Sequence, residues 1–200
     1  LEPDSLFVFQ QRGVFMKKID ARLLGSPLFA GIREDELQSL LQCVRAVYKT
    51  FAKGETVFFA GDAATQIGVV CAGAVQIFRD EFTGSRTIIA KLSPGDVFAE
   101  AYACARAEHL PVTAAAAESS EVLLIDSRRI LGTCQKCCAF HSRLIENMLF
   151  ILASKNVYLN RKIEVISKRS TREKLIAYLS AQAQEAGSRS FTIPFDRQEL

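Results

Sequence analysis

Four glycine positions, Gly61-Asp62, Gly73, Gly84 and Gly95-Asp96, punctuate the first half of this chain. Between them lie apolar runs of strand length: Ile67 to Cys71, Val75 to Phe78, Thr87 to Ala90, and Val97-Phe98. Glycine takes the positive-φ conformations of sharp turns at little steric cost, so each position marks a reversal of the chain. Short strands at regular spacing, separated by turn signals, predict an all-β sandwich or barrel. The series continues to Val122–Asp126, and one long helix and the start of a further unit follow. That order of parts suggests a sensor joined to an effector by a helical lever.

Ahead of the strands, Pro27 to Ile32 leads into Arg33-Glu-Asp-Glu-Leu37. Acidic residues crowd a first helical turn, where the helix dipole favours them. Leu37, Leu40, Leu41 and Val44 then form a helical apolar stripe. From Ala46 the period changes to that of strands, through Val47, Lys49 and Phe51, then Val57 and Phe59, with Lys53-Gly54-Glu55 as a turn between them. The first fifteen residues carry no clear period, and Met16 is followed by Lys17-Lys18. Gln-Gln-Arg-Gly-Val-Phe before Met16 has the character of a translated ribosome-binding leader. Residues 1–15 are therefore expected to add nothing to function.

Ser127 is the expected N-cap of a short helix, Arg128 to Thr133. A long helix is expected from about Phe140 to Lys168, a stretch without Gly or Pro. Ile145, Met148, Leu152, Leu159 and Ile166 form one apolar seam, with Leu144, Ile151, Tyr158 and Val165 in a second row beside it. A helix apolar on two adjoining faces covers two surfaces. One is its own β-domain, and the other is most simply the same helix of a second copy. Lys155 and Lys162 interrupt the stripe as a partly exposed seam allows.

Thr171-Arg-Glu-Lys174 predicts another helix start, with Thr171 as cap and Glu173 in the first turn. Leu175, Ile176, Leu179 and Ala183 line one side of that helix, and Gly187-Ser188 ends it. Ser190 to Ile193 alternates as a short strand, and Asp196 is placed to cap a helix that has barely begun at Leu200. The natural protein is therefore expected to continue beyond Leu200.

Composition is ordinary for a globular chain, with 49% hydrophobic and 24% charged residues. The net charge of +3 does not by itself imply a nucleic-acid partner, but its distribution is uneven. Between Lys155 and Lys174 stand Arg161, Lys162, Lys168, Arg169 and Arg172, against only Glu164 and Glu173. Without a function, such a run is a solvated helix face. No run is long enough to span a membrane, and no secretion signal is visible. Six cysteines, two of them adjacent and several in apolar segments, suit reduced thiols in a cytoplasm better than a disulfide framework.

Gly61-Asp62, Gly73, Gly95-Asp96-Val-Phe-Ala-Glu100, the long helix, Thr171-Arg-Glu-Lys-Leu175 and Ile193-Pro-Phe-Asp-Arg-Gln-Glu-Leu200 together resemble the CRP/FNR family of bacterial transcription regulators. The resemblance covers roughly residues 28–200. The glycine pattern is shared with other cyclic-nucleotide-binding domains, and the Phe191–Leu200 tail is the sharper signal. The resemblance implies a mainly β chain with helices: a jelly-roll-like double-stranded β-helix, or β-roll, a dimerisation helix, and the start of a winged helix-turn-helix. The expected divisions are a lead-in at 1–26, the roll at 27–138, the long helix at 139–168 and the DNA-binding domain from 169, incomplete at 200. The second helix of that motif, which reads the major groove in the family, would lie beyond Leu200. A two-state lever is expected in the long helix and the hinge near Ser167 to Thr171.

In members that bind cyclic nucleotides, a Gly-Glu pair and a later Arg-Ser or Arg-Thr pair hold the ribose and cyclic phosphate. Ala99-Glu100 stands at the first of these, and family spacing puts Leu110-Pro111 at the second. Leucine has no charge and proline no backbone donor. Arg106 and Thr113 are the nearest alternatives, and Arg106 would need the loop to shift register. A buried, unpaired phosphate costs several kcal/mol, which argues against cyclic AMP or GMP. The expected effector pocket comprises Ala99, Glu100, Leu110, Pro111, Val112, Thr113 and Tyr158. Its lining suits an apolar or aromatic effector, or none, and leaves Glu100 a structural role in its turn. The cofactor is unknown.

Cys134, Cys137, Cys138 and His141 include CxxC spacing and are the candidate metal ligands, although a second CxxC is absent. Their bland reading is buried or spare thiols that pack as small hydrophobes. His109 and His141 are the only histidines, too few for a metal-dependent β-barrel enzyme. No nucleophile–base pair or phosphate loop is visible, so no enzyme is expected. Arg169, Arg172, Arg197 and Gln198 are the candidate DNA contacts, with Lys168 nearby. The favoured reading is a cytoplasmic, homodimeric, DNA-binding regulator sensing an effector other than cyclic AMP, with RNA polymerase as a possible further partner. The alternatives are a stand-alone ligand-binding module and a cysteine-based redox or metal sensor of the same family.

Overall fold

The computed structural model describes residues 21–132 and 139–193. Two short 3-10 turns, Ala21–Gly25 and Pro27–Phe29, precede helix α1, Glu34–Cys43. Glu34, Asp35 and Glu36 fill the first turn of α1, and the Glu36 carboxylate accepts from Arg33 N at 3.1 Å. Leu37, Leu40, Leu41 and Val44 are buried, as the helical stripe predicts.

Among the described residues, eight strands follow. They are β1 Val47–Phe51, β2 Thr56–Phe58, β3 Gln66–Ala72, β4 Val75–Asp80, β5 Arg86–Leu92, β6 Val97–Phe98, β7 Thr113–Ala116 and β8 Ser120–Asp126. They form two four-stranded antiparallel sheets, in the orders β1-β8-β3-β6 and β2-β7-β4-β5. Sequence-adjacent β3 and β4 lie in different sheets, so the chain crosses between layers as it does in a roll. Gly73 makes that corner with φ +76, and a Cβ there would meet the Ser119 carbonyl and the Ser120 side chain. Glycine is therefore dictated twice, by φ and by space. Ser120 fastens the corner from the other side: its Oγ accepts from Ala74 N at 3.1 Å and lies 3.0 Å from Ala74 O.

Between the sheets sits an apolar core that includes Phe51, Phe58, Val70, Val75, Phe98, Leu110, Val122 and Leu124. Phe58 and Phe98 meet at 5.6 Å between ring centroids, tilted by 54°. Such tilted pairs gain about 0.5–1.5 kcal/mol beyond area burial.

Three helices interrupt or follow the roll: α2 Glu100–Cys104, α3 Ser127–Leu131 and α4 Ala139–Ile166. The cap of α3 is Asp126 rather than Ser127: Arg128 N donates to Asp126 Oδ1 at 2.9 Å. Ser127 is instead inside the helix and buried, its Oγ donating to Thr65 O at 3.1 Å. The fixed end of β8 placed the turn one residue earlier than the capping pattern alone suggested.

α4 is an unbroken helix of 28 residues that ends two residues short of the expected Lys168. Helix α5, Thr171–Ala186, is capped by Ser170 and not Thr171. Ser170 Oγ accepts from Glu173 N at 3.2 Å, and Glu173 Oε2 accepts from Ser170 N at 3.1 Å, a reciprocal capping box. Thr171 has helical geometry and so loses the cap role. Ser190–Ile193 forms no strand. Alternation alone does not make a strand, which needs a ladder partner for its backbone groups.

The chain divides into two compact units within α4, between Ile151 and Leu152. In the first unit, His141, Leu144, Met148 and Ile151 of α4 are buried. Asn147 Nδ2 donates to Leu28 O at 3.0 Å and to Ala30 O at 2.9 Å, and Arg143 donates to Gly31 O. These bonds tie the first turns of α4 to the 28–31 segment. In the second unit an ion pair links Arg161 to Glu185 across α4 and α5 at 3.8 Å.

Met148 corrects the expected seam. It is 1% exposed within the first unit, whereas neighbouring Leu149 is 68% exposed. Ile145, Leu149, Leu159, Ile163 and Ile166 are exposed, and Leu152 is half-buried. Among the described residues, no helix is long and apolar enough to cross a membrane.

Candidate functional site

The motif Gly95–Glu100 folds into a tight turn, the short strand β6 and the start of α2. Gly95 N donates to Val70 O at 2.8 Å, and Val70 N donates to Asp96 O at 3.0 Å. Asp96 closes its own turn by accepting from Ser93 N at 2.8 Å. Ser26 Oγ, from the segment before α1, donates to Gly95 O at 2.7 Å. The glycine–aspartate pair is thus a turn device held from both sides.

Ala99 follows at φ 62, in the left-handed region. This conformation costs an alanine about 1 kcal/mol that glycine does not lose. It reverses the chain out of β6 and into α2, where Ala103 N donates to Ala99 O at 3.0 Å. Glu100 is 4% exposed at the first position of α2. Burial, and then the Glu100 charge one helical turn away, push the Cys104 thiol above its ordinary value. Cys104 is therefore a poor thiolate and a poor redox nucleophile at neutral pH.

Leu110 stands where the family resemblance implies a phosphate-binding arginine. Its backbone is fully used: Leu110 N donates to Asp62 O at 2.9 Å, and Gly61 N donates to Leu110 O at 2.8 Å. Its side chain is 4% exposed and packs in the core with Phe58 and Phe98, and Ala99 and Tyr102 pack against the same cluster. Leu110 thus lies within one apolar cluster and the partly buried Ala99 packs against it.

Pro111 is exposed, and its carbonyl accepts from Arg79 Nε at 3.4 Å. Val112 is buried. Thr113 Oγ1 accepts from Ala60 N at 3.2 Å and so holds the β2 side of its sheet. Arg106 is exposed with φ 55 at the end of α2, turned to solvent rather than into the core. Tyr158 is exposed on the part of α4 that belongs to the second unit.

Sequence reasoning missed two arginines at this end of the roll. Arg79 sits on β4, whose Phe78 pairs with Thr113. Arg86 stacks over Phe78 with its guanidinium carbon 3.7 Å from the ring centroid. Asp80 holds that guanidinium through two hydrogen bonds, at 2.8 and 3.3 Å. The signal for this pairing was cross-strand register, which is invisible before β4 and β5 are aligned. Both arginines are exposed, and Arg86 is already paired with a carboxylate, so neither is a ready buried cation for a phosphate.

Among the remaining candidates, Arg169 and Arg172 are exposed at the α4–α5 junction. Arg197 and Gln198 lie outside the described residues, as do Cys134, Cys137 and Cys138, and also residues 1–15 and Asp196. His141 is buried, with Nε2 2.9 Å from Ile130 O and Nδ1 without a hydrogen-bond partner. Among the described residues no three His, Cys, Asp or Glu side chains are grouped to hold a metal ion.

Residues 48–137 match the family model described as the cyclic nucleotide-binding domain. The cyclic AMP receptor protein of Thermus thermophilus is 30% identical over 101 residues, which are 50% of this chain and 45% of that protein. The chain thus spans about half the length of the curated relative it matches. The crystal structure of the Thermus thermophilus catabolite activator protein superposes with TM-score 0.58 at 24% identity, over 71% of this chain and 63% of the other. The sensor domain of the transcriptional regulator DNR from Pseudomonas aeruginosa does so with TM-score 0.56 at 22% identity, over 76% and 95%. At these identities the two structures establish a shared fold.

Proposed function

We propose that this chain is part of a DNA-binding transcription regulator of the CRP/FNR type: residues 48–137 match the cyclic nucleotide-binding domain model, and a cyclic AMP receptor protein and the sensor domain of a transcriptional regulator are among the proteins it is similar to. The roll is its sensor, the α4 helix its dimerisation element, and α5 the opening of its DNA-binding domain. The observation that carries this reading is the order of parts beyond the roll. An unbroken 28-residue helix with an exposed apolar row runs into a capped second helix whose junction presents Lys168, Arg169 and Arg172. A stand-alone ligand-binding module has no need of that continuation.

The effector is not cyclic AMP or cyclic GMP. A cyclic phosphate needs a cation and several donors when buried. At the position expected to supply that cation stands Leu110, whose side chain fills the core and whose backbone groups are already bonded. Ala99 retains the left-handed turn of the motif without its glycine. The sensor therefore answers to an apolar or aromatic molecule, or to a change that needs no small ligand. The protein acts in the cytoplasm on DNA, as a homodimer, with RNA polymerase as its further partner. Arg169 and Arg172 approach phosphates in that complex, and binding weakens steeply with salt.

The test is native mass spectrometry of the protein purified anaerobically, with isothermal titration of cyclic AMP. A dimer, with or without a defined extra mass, and no heat of cyclic AMP binding is the expected result. A monomer overturns the assembly, and saturable cyclic AMP binding overturns the effector reading.

A further inference from the structure

The exposed row of α4 has a defect in it that carries information. Ile145, Leu149, Leu152, Asn156, Leu159, Ile163 and Ile166 succeed one another at steps of four, three, four, three, four and three. This is the spacing of the two core positions of a coiled-coil heptad. Leu149, Asn156 and Ile163 occupy one position, conventionally a, and Ile145, Leu152, Leu159 and Ile166 the other, d. The buried residues His141, Leu144, Met148 and Ile151 fall at g and c, so the first unit uses a different face of the helix from the heptad row. Six of the seven members of the row are aliphatic, and the seventh, Asn156, is an amide at its centre.

We propose that Asn156 selects the orientation and register of a pair of α4 helices, admitting only the parallel, in-register homodimer. The inference rests on the dimer proposed above and adds which of its possible alignments forms. In a parallel pair, a faces a′, so Asn156 meets the partner's Asn156. Two amides facing one another satisfy each other, one donating and one accepting. Within its own helix Asn156 Oδ1 already accepts from Asn160 Nδ2 at 2.9 Å, leaving the NH2 group as the donor to offer across the seam.

Antiparallel pairing puts a against d′. Aligned over the same row, Asn156 faces a leucine at the Leu159 position, and burying its NH2 group without an acceptor is costly. The charges point the same way. Lys155 and Lys162 are both at g. In the parallel pair, g meets e′, which brings Lys155 toward Asn160 and Lys162 toward Ser167, with no like charges opposed. In the antiparallel pair, g meets g′, and the two lysines are brought together twice. One polar residue at a single a position fixes register at a cost in stability.

The test uses the 200-residue chain carrying Leu149→Cys and Ile166→Cys together, with Asn156 retained or with Asn156→Leu added. After equilibration in a glutathione redox buffer, linked peptides are mapped by mass spectrometry, which separates these links from those of native cysteines. Sedimentation equilibrium measures association of the corresponding chains without the added cysteines. With Asn156 retained, position 149 links to 149 and 166 to 166. With Asn156→Leu, association tightens by about tenfold or more and 149-to-166 links appear, because only the screened repulsion between Lys155 and Lys162 still opposes the antiparallel alignment. An unchanged link pattern after Asn156→Leu, or 149-to-166 links while Asn156 is present, overturns the inference and leaves the dimer standing. Absence of any self-association by the unmodified chain overturns the dimer itself. Asn156→Ala, which removes the amide without adding apolar reach, is expected to lose orientation without tightening association.

Discussion

Truncating Leu110 to alanine distinguishes a filled roll from an open one. In the structure Leu110 is 4% exposed and packs among Phe58, Phe98, Ala114 and their neighbours. Burying a leucine side chain contributes about 1.5–3 kcal/mol through the area removed from water. Removing it from a close-packed core adds a cavity term, which brings the expected loss to about 3 kcal/mol, within a range of roughly 2–5. With a urea dependence of about 2 kcal/mol per molar, the midpoint falls by about 1.5 M. The adjacent Pro111 is exposed, so Pro111→Ala changes stability by less than about 1 kcal/mol. Urea unfolding followed by far-UV circular dichroism measures both variants, with and without millimolar cyclic AMP. Leu110→Ala costing no more than Pro111→Ala would mean that position 110 borders open space, and the argument against a nucleotide would lose its basis. A rise in the wild-type midpoint on adding cyclic AMP would refute it directly, since a ligand that binds only the folded state stabilises it.

Three further outcomes follow from the same structure. Gly68 pairs with Phe98 across β3 and β6, and a Cβ on Gly68 would run into the Phe98 ring; Gly68→Ala is expected to cost about 1–3 kcal/mol or more, and adding Phe98→Leu to recover part of that loss in a double-mutant cycle. Ser170→Ala removes the capping box of α5 and is expected to cost about 1 kcal/mol, read as faster amide hydrogen exchange in residues 171–176 with the roll unchanged. The Arg128 hydrogen bond holds the Asp126 carboxyl below its ordinary range, and a folded-state pKa that is depressed supplies stability above the unfolded value and loses it as pH falls through the folded one. The stability gap between wild type and Asp126→Asn should therefore be present at pH 7 and shrink below about pH 4, as urea midpoints at the two pH values would show; a constant gap contradicts this.

Much of the β-roll was legible because its rules are local. Runs of β-branched and aromatic residues between glycines marked β3, β4, β5 and β6, and each strand appeared within a residue or two of its apolar run. The acidic first turn marked α1 in the same way. Helix α2 was missed because it starts at an alanine in a left-handed conformation, which nothing in the local pattern announces. Caps slipped by one residue at both α3 and α5, where Asp126 with Ser127 and Ser170 with Thr171 offer two candidate oxygens side by side. Which one caps depends on where the preceding segment ends.

What the sequence determined by itself is the local architecture: short strands with glycine corners and a long helix without breakers. These follow from backbone preference and periodicity, both of which act along the chain. Whether Leu110 fills a core or lines a cavity was a tertiary decision, because it depends on Phe58 and Phe98 arriving from other strands. The same holds for the pairing of Arg86 with Asp80 and Phe78, which waits on the β4–β5 register. On α4, periodicity supplied two apolar rows but not their assignment. Packing buried Met148 and exposed Leu149, and so settled which face covers the first unit and which carries Asn156 outward.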